Sequence, residues 1–228
     1  NIPLQPAAGA PAWAPVTAAP LPQPTVARPP DDSLLTGVPC APPCWQGLVP
    51  GVTSEQEVRI FLDNSPYVAG WKPEALSDGT ALYQLYQWNW TLPGPALASN
   101  LMRARDGVLV GIVLWPETSV TLAQVLARFG TPEKIDVQSP VESGGFAWVL
   151  DLYYPGDGLR LTVGGLNLAE GGRELCPNPA GQVQRVTYLP AGSIAKMIAA
   201  LYPNQPLEQR TALQRLRDWD GASCLPTG

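Results

Sequence analysis

From Val52 the chain reads VTSEQEVRIF, with Val58, Phe61 and Leu62 spaced to share one side of a helix and polar residues between them. Thr53 or Ser54 can cap that helix, and Glu57 stands three residues after Ser54, as a capping box requires. Pro66 marks its end. About 70 residues later the pattern returns as VTLAQVLARF, Val120 to Phe129, a period that calls for a repeat-first reading. Val, Thr, Gln and Phe recur at identical spacing, and Val58 answers Leu126. In the second copy Val125, Leu126 and Phe129 form the predicted buried stripe, and Gly130-Thr131-Pro132 the stop. A second block recurs in the same order. DGVLVGIVLWP, Asp106 to Pro116, matches AGQVQRVTYLP, Ala180 to Pro190, with Gly107 over Gly181, Ile112 over Val186, Leu114 over Tyr188 and Pro116 over Pro190. Two blocks at nearly the same offset predict a tandem duplication.

Between these landmarks the apolar period shortens to two. Ala81 to Trp90, Leu101 to Arg105 and Val108 to Trp115 read as strands, the last two joined by the hairpin turn Asp106-Gly107. In the second unit Phe146 to Tyr154 alternates, with Phe146, Trp148, Leu150, Leu152 and Tyr154 on one side and Asp151 on the other. Pro155 to Gly158 turns into Leu159 to Val163, and after a glycine-rich loop containing Cys176 the strand Gln182 to Leu189 closes the unit. A short helical stretch is expected around Pro73 to Leu76. Each unit is thus predicted as a helix followed by three strands, one sheet face covered by the helix and the other open. Ser193 to Pro203 and Leu207 to Trp219 read as two helices that cap the second sheet. Residues 1–45 are rich in Pro, Ala and Gln and predict extended, polyproline-like chain, a spacer or a strap along a neighbouring subunit. The expected class is α+β: an arm over 1–45, repeats over 46–118 and 119–190, and a helical cap over 191–228.

Composition narrows the partners. With 228 residues and 45% hydrophobic content the chain can bury a proper core, as one large domain or two small ones. A net charge of -5 without any Lys/Arg cluster argues against nucleic acid and anionic membrane, which are bound through basic patches. The chain has no histidine, which removes the usual general base near neutral pH and the commonest zinc ligand. Four cysteines and no C-x-x-C pair read as two disulfides made in an oxidising compartment. Of the three pairings, Cys40 with Cys44 and Cys176 with Cys224 are favoured, the second tying the C-terminal tail to the second repeat. No apolar run approaches the roughly 20 residues of a transmembrane helix. The chain starts at Asn1 instead of Met, which fits a processed N-terminus, and a lipid-modified cysteine just before it would give a lipoprotein-like anchor. Secretion, or attachment at the outer side of a membrane, is the expected localisation.

The pattern V-T-x-x-Q-x-[VL]-x-x-F, with Pro50-Gly51-Val52-Thr53 at the first helix start and Phe129-Gly130-Thr131-Pro132 closing the second, resembles the superfamily of β-lactamase-inhibitor-protein folds and the SmpA/OmlA outer-membrane assembly lipoproteins. The resemblance covers residues 48 to 190, and Asn64-Ser65-Pro66 departs from it by lacking the glycine. It implies a non-catalytic, extracytoplasmic module that binds another protein with its sheet, and it carries over no catalytic residue.

The chemistry in the sequence agrees with that expectation. Glu55 with Glu57, Asp151 with Asp157 and Asp218 with Asp220 are the nearest carboxylate pairs, explained by a helix N-terminus, a hairpin turn and a solvated tail. There is no G-x-S-x-G, phosphate loop or EF-hand loop. No cofactor or metal is expected. Asn89-Trp90-Thr91 fits a glycosylation sequon at a strand end. Eight tryptophans against three phenylalanines is an unusual balance, and Tyr86, Trp88 and Trp90 share one strand face. Such residues are enriched in interfaces and stack on sugars, so these three are candidate partner contacts, with core packing as the competing role for Trp88 and Trp148. Trp115 lies opposite Ile112 and Leu114 by alternation and is the better candidate for an exposed contact. The expected function is a non-enzymatic, protein-binding subunit of a surface or membrane-associated assembly, with other protein subunits as partners and the N-terminal arm as a strap. The alternatives are a polysaccharide-binding module using the aromatic face and a carboxylate-dependent hydrolase, the latter requiring two exposed acids in one cleft.

Overall fold

The computed structural model describes residues 29–77, 82–92, 99–139, 148–168 and 174–226, the side chains of Leu82 and Leu168 excepted, and sets helices against antiparallel sheets. A short helix α1 (Ser33–Thr36) and α2 (Glu55–Asn64) precede β1 (Val68–Ser77), β2 (Leu82–Trp90), β3 (Asn100–Arg105) and β4 (Val108–Leu114). Then come α3 (Leu122–Phe129), β5 (Lys134–Gln138), β6 (Val149–Tyr154), β7 (Leu159–Val163), β8 (Leu166–Leu168), β9 (Glu174–Pro177) and β10 (Val183–Tyr188). The chain closes with α4 (Ile194–Leu201), α5 (Pro206–Arg215) and β11 (Leu225–Pro226). Eight strands form one sheet in the order β1-β2-β3-β4-β10-β7-β6-β5, and β11-β9-β8 form a small second one.

Helices α2 and α3 start where side-chain caps dictate. At α2 the Ser54 hydroxyl accepts the Glu57 amide and the Glu57 carboxylate accepts the Ser54 amide at 2.7 Å. At α3 Thr121 and Gln124 make the same reciprocal pair. Each box satisfies donors that a bare helix start leaves unpaired. Thr53, aligned with Thr121, caps nothing and instead accepts the Val49 amide at 2.8 Å. The predicted stripes are in place: Val58 and Leu62 are buried on α2, Leu122 and Val125 on α3, with Leu126 and Phe129 packed against the same core.

Three expectations are corrected. The helical stretch around Pro73 to Leu76 is the middle of β1, held by unbroken antiparallel pairing from Gly70↔Asn89 to Ser77↔Leu82. Cross-strand pairing overrides local propensity there, and an edge strand tolerates the missing Pro73 amide. With β1 and the unpredicted β5, each side of the β4–β10 seam carries four strands instead of three. The last predicted helix stops at Arg215, because Arg217 exchanges both backbone bonds with Ile135 at 2.9 Å and covers part of the outer edge of β5.

The boundary at residue 45 also moves. Leu34, Trp45 and Leu48 are buried in the main core, and Trp45 is fully enclosed. Its ring stacks on Trp88 at 5.5 Å, meets Phe61 edge-on at 5.4 Å, and donates Nε1–H to Asp31 at 2.8 Å. A high proline content does not stop a chain from packing when it carries a tryptophan to bury. The rest of the expected arm, 1–28, and Phe146 lie outside the described residues. Both favoured disulfides are present, Cys40–Cys44 and Cys176–Cys224, the latter joining β9 to the tail beside β11.

Candidate functional site

Alternation gives the sheet two faces, and the helices decide what each can do. Tyr86, Trp88 and Trp90 point from β2 into the helix-covered core, with relative exposures of 0%, 1% and 9%. Trp88 meets Trp90 edge-on at 4.8 Å, and the Tyr86 hydroxyl and Arg59 share the Glu55 carboxylate. The three expected partner-binding aromatics therefore belong to the core: alternation showed that they share a face, without showing which face α2 covers. The aromatic surface on which the polysaccharide reading depended is thus inside the protein. Trp148 is partly buried. Trp115 stands on the other face, partly exposed, where its ring lines a recess with Val113 and Leu189.

That second face is laid out by strand register. Gln87, Leu101, Val113, Thr187, Arg160 and Tyr153 stand opposite one another in succession across β2, β3, β4, β10, β7 and β6. A parallel row carries Arg185, Thr162, Asp151 and Asp136. Over the second row and its neighbours lie α4 and α5, whose Met197, Ile198 and Ala212 form a separate small core with Tyr153 and Leu189. Between α4 and strands β2 to β4 a recess of about 250 Å³ remains, walled by Leu85, Leu101, Val110, Val113 and Trp115 and by Leu201 and Tyr202, with Arg103, Arg160 and Arg185 among its lining.

The polar groups beneath the helices form one network. Asp151, fully buried, accepts from Gln138 Nε2 at 2.8 Å, from Thr162 Oγ1 at 2.6 Å and from the Arg160 guanidinium. Thr162 Oγ1 also accepts from Arg185 Nη2 at 3.2 Å. Asp136, directly across from Asp151, pairs with Arg215 at 3.0 Å. Burial pulls the Arg160 guanidinium down, and the Asp151 carboxylate together with Tyr153 and Tyr202 more than offsets it, leaving Arg160 above its ordinary value. Burial holds Arg103 and Arg185 below the ordinary arginine value: Arg103 has no carboxylate acting on it, and at Arg185 the neighbouring Arg160 charge lowers it further while Asp151 opposes only in part. Burial likewise raises the Asp136 carboxyl, with the Arg215 charge opposing it.

Such an arrangement can bind an anion. The two carboxylates it brings together, Asp136 and Asp151, are buried and each is engaged by an arginine, whereas a hydrolase would need two acids open to substrate. The other carboxylate pairs keep their dull roles. Glu57 caps α2, Glu55 bonds Arg59 and Tyr86, Asp157 lies in a turn, Asp220 accepts local backbone amides and Asp218 pairs with Lys134. Among the described residues no three His, Cys, Asp or Glu side chains converge to hold a metal, and no helix is long and apolar enough to cross a membrane. The two disulfides fit an extracytoplasmic protein.

The arginines were the residues missed from sequence. Their signal was positional: Arg160 sits between Leu159 and Leu161, and Arg103 between Met102 and Ala104, in strands whose alternate residues are buried. No family model, curated protein or solved structure matches the chain.

Proposed function

We propose that this chain is a non-catalytic, extracytoplasmic protein-binding subunit of a surface or membrane-associated assembly, and that it holds its partner with the second face of its large sheet on the β2–β4 side. One observation carries this reading. The part of that face lying under α4 and α5 carries Arg160, Arg185, Asp151 and Asp136 beside the small Tyr153–Leu189 core, whereas the β2–β4 part presents Leu85, Leu101, Val110, Val113 and Trp115, all partly exposed. A monomer that used its C-terminal helices only to shield apolar surface would have the opposite distribution, and open apolar sheet surface is what a partner covers.

The architecture supports the resemblance to tandem helix-plus-sheet modules. On each side of the β4–β10 seam a capped helix and four strands occur, and the strand order reads outward from the seam as β4-β3-β2-β1 and β10-β7-β6-β5. We read this as the tandem duplication, with β8 and β9 inserted into the second copy and α4 and α5 as its cap. The N-terminal arm would act as a strap on a neighbouring subunit, and its removal must stop at residue 28, because a deletion to 45 takes Trp45 out of the core.

The test is the native size of the assembly. The full chain, the Val113→Asp and Ile60→Asp variants and a form lacking residues 1–28 are expressed in the native source, extracted mildly and sized. Ile60 is 54% exposed on α2 and serves as the control. Loss of the large species for Val113→Asp, with Ile60→Asp unchanged and the free variants equally folded, is the expected result. A complex that survives Val113→Asp, or a full chain that runs alone, overturns the reading.

A further inference from the structure

We propose that the recess beside α4 receives a carboxylate carried by the partner protein, presented next to an apolar side chain. This rests on the reading of the open face as a partner surface and names the chemistry that face selects. The counter-charges on this face are already assigned: Asp151 to Arg160 and Asp136 to Arg215. Glu208, exposed on α5, lines the adjoining recess and makes no ion pair among the described residues. Arg103 therefore holds its charge at a desolvation cost without a described carboxylate to offset it, and Asp151 offsets that of Arg185 only in part, in a chain whose net charge is -5.

The hydrogen bonds point the same way. Among the described residues, the Nε–H groups of Arg160 and Arg185 are hidden from water and have no acceptor. Buried donors are nearly always matched, so these guanidiniums beneath the recess have bonding capacity that the described chain does not satisfy. A carboxylate answers a guanidinium in both charge and geometry. This part of the groove, about 250 Å³, fits a carboxylate with one neighbouring side chain. Leu85, Leu101, Val113 and Trp115 supply the apolar wall for that neighbour. Arg103 also lines the next recess, toward Tyr83 and Asn204, so the groove continues past α4 in the way an extended segment requires.

The full chain is panned with a phage-displayed library of random linear peptides, and the selected peptides are measured on wild type, Arg103→Gln, Arg185→Gln, Arg103→Lys and Val113→Asp. The expected peptides carry Asp or Glu beside a large apolar residue. Arg103→Gln and Arg185→Gln each weaken binding tenfold or more, Arg103→Lys weakens it less, and added salt weakens it further. Changing the peptide's acid to its amide gives the same loss on wild type and little additional loss on Arg103→Gln. The free Arg103→Gln protein melts no lower than wild type, since the substitution removes a charge that burial disfavours, and this keeps the binding loss from being a folding defect.

Peptides without an acid, or additive effects of the amide and Arg103→Gln, overturn the carboxylate while leaving the open face intact if Val113→Asp still abolishes binding. An unchanged affinity on Val113→Asp, or no selected peptide at all, overturns the face itself and the carboxylate with it. Small carboxylates, benzoate and succinate, are run in competition. If either alone occupies the site as tightly as the peptides, the ligand is a free organic anion and the partner-borne carboxylate is wrong.

Discussion

The buried network makes opposite forecasts for two aspartates that face each other across β5 and β6. Asp151→Asn removes the charge that keeps Arg160 tolerable in an enclosed site. The Arg160 side chain is 9% exposed and Asp151 is 0% exposed, so neither can turn to water. Removing one partner of a buried pair costs about 3–5 kcal/mol. Asparagine keeps an acceptor for Thr162, which places Asp151→Asn near the low end, about 3 kcal/mol. At about 2–4 °C per kcal/mol for a chain of this size, Tm should fall by about 6–12 °C. Asp136→Asn removes a carboxyl that burial already pushes toward its neutral form, and the Arg215 left behind is 34% exposed and reaches solvent. Its cost should stay below about 1 kcal/mol, as for a surface pair. Urea unfolding followed by tryptophan fluorescence measures both, with unchanged m-values as the check that the transition is the same. Adding Arg160→Gln to Asp151→Asn should recover part of the loss, because it removes the stranded charge. Equal costs for the two asparagine variants, or no recovery in the double variant, would refute this account of the network.

Other expectations follow from single features. Trp45→Ala should cost about 4 kcal/mol, since it empties a fully buried site packed by Trp88, Phe61 and Trp90, and thermal unfolding will read it. Cys176→Ser with Cys224→Ser opens a link spanning 48 residues and should cost about 4 kcal/mol by loop entropy, against about 2 kcal/mol for the Cys40–Cys44 link spanning 4; differential denaturation of the two double variants checks the order. Hydrogen bonds from Tyr86 and Arg59 hold Glu55 below its ordinary pKa, so its contribution is present above about pH 4.5 and is lost as pH falls through the lowered value. Asp136 works with the opposite sign: its raised pKa favours folding below the ordinary carboxylate value and is lost as pH rises through the higher one. Glu55→Gln should therefore flatten the acid limb of the stability profile, and Asp136→Asn should remove a decline at its upper end.

Much of the fold could be read from local pattern, because local pattern carried the physics. Ser54-x-x-Glu57 and Thr121-x-x-Gln124 set the helix starts by bonds between residues three apart; the first is one of the two caps the sequence offered, and the second box was not read from the sequence. Alternation found β2, β3, β4, β6, β7 and β10. It failed at VAGWKPEALS, where Gly70 and Pro73 mimic a loop and helix start and only pairing with β2 makes the segment a strand. The site was less legible for a related reason. Alternation sorts a strand into two faces but is silent on which is covered, so Tyr86, Trp88 and Trp90 were placed on the wrong side of the question, while Trp115 was placed on the open one. Asp151 stood out as a polar residue in an apolar strand. Its meaning depended on Thr162, set opposite by the β6–β7 register, and on Arg160, two residues along the same strand, and not on sequence spacing.

The seam explains why the site sits where it does. Only Val186↔Leu114, Thr187↔Val113 and Tyr188↔Ile112 pair across β4 and β10, a short ladder to hold two four-stranded halves together. On the helix side it is reinforced by the stretch from Asp31 to Leu48. Asp31 accepts Thr118 Oγ1–H at its carbonyl and donates its amide to Glu117, while Leu34 belongs to the same core as Trp90, Leu114, Val186 and Tyr188 and lines one small cavity with them. On the other side the same seam supplies the floor of the recess, with Val113 from one half and Arg185, Thr187 and Leu189 from the other. Neither half could form that recess alone. A segment that looks like a proline-rich spacer thus has a structural reason to be folded, because it fixes from behind the junction whose front carries the arginines. Loosening it should affect binding as well as stability: Trp45→Ala, measured at a temperature where it is still fully folded, should weaken the selected peptides. Unchanged peptide affinity would mean that the three ladder pairs suffice to hold the recess in shape.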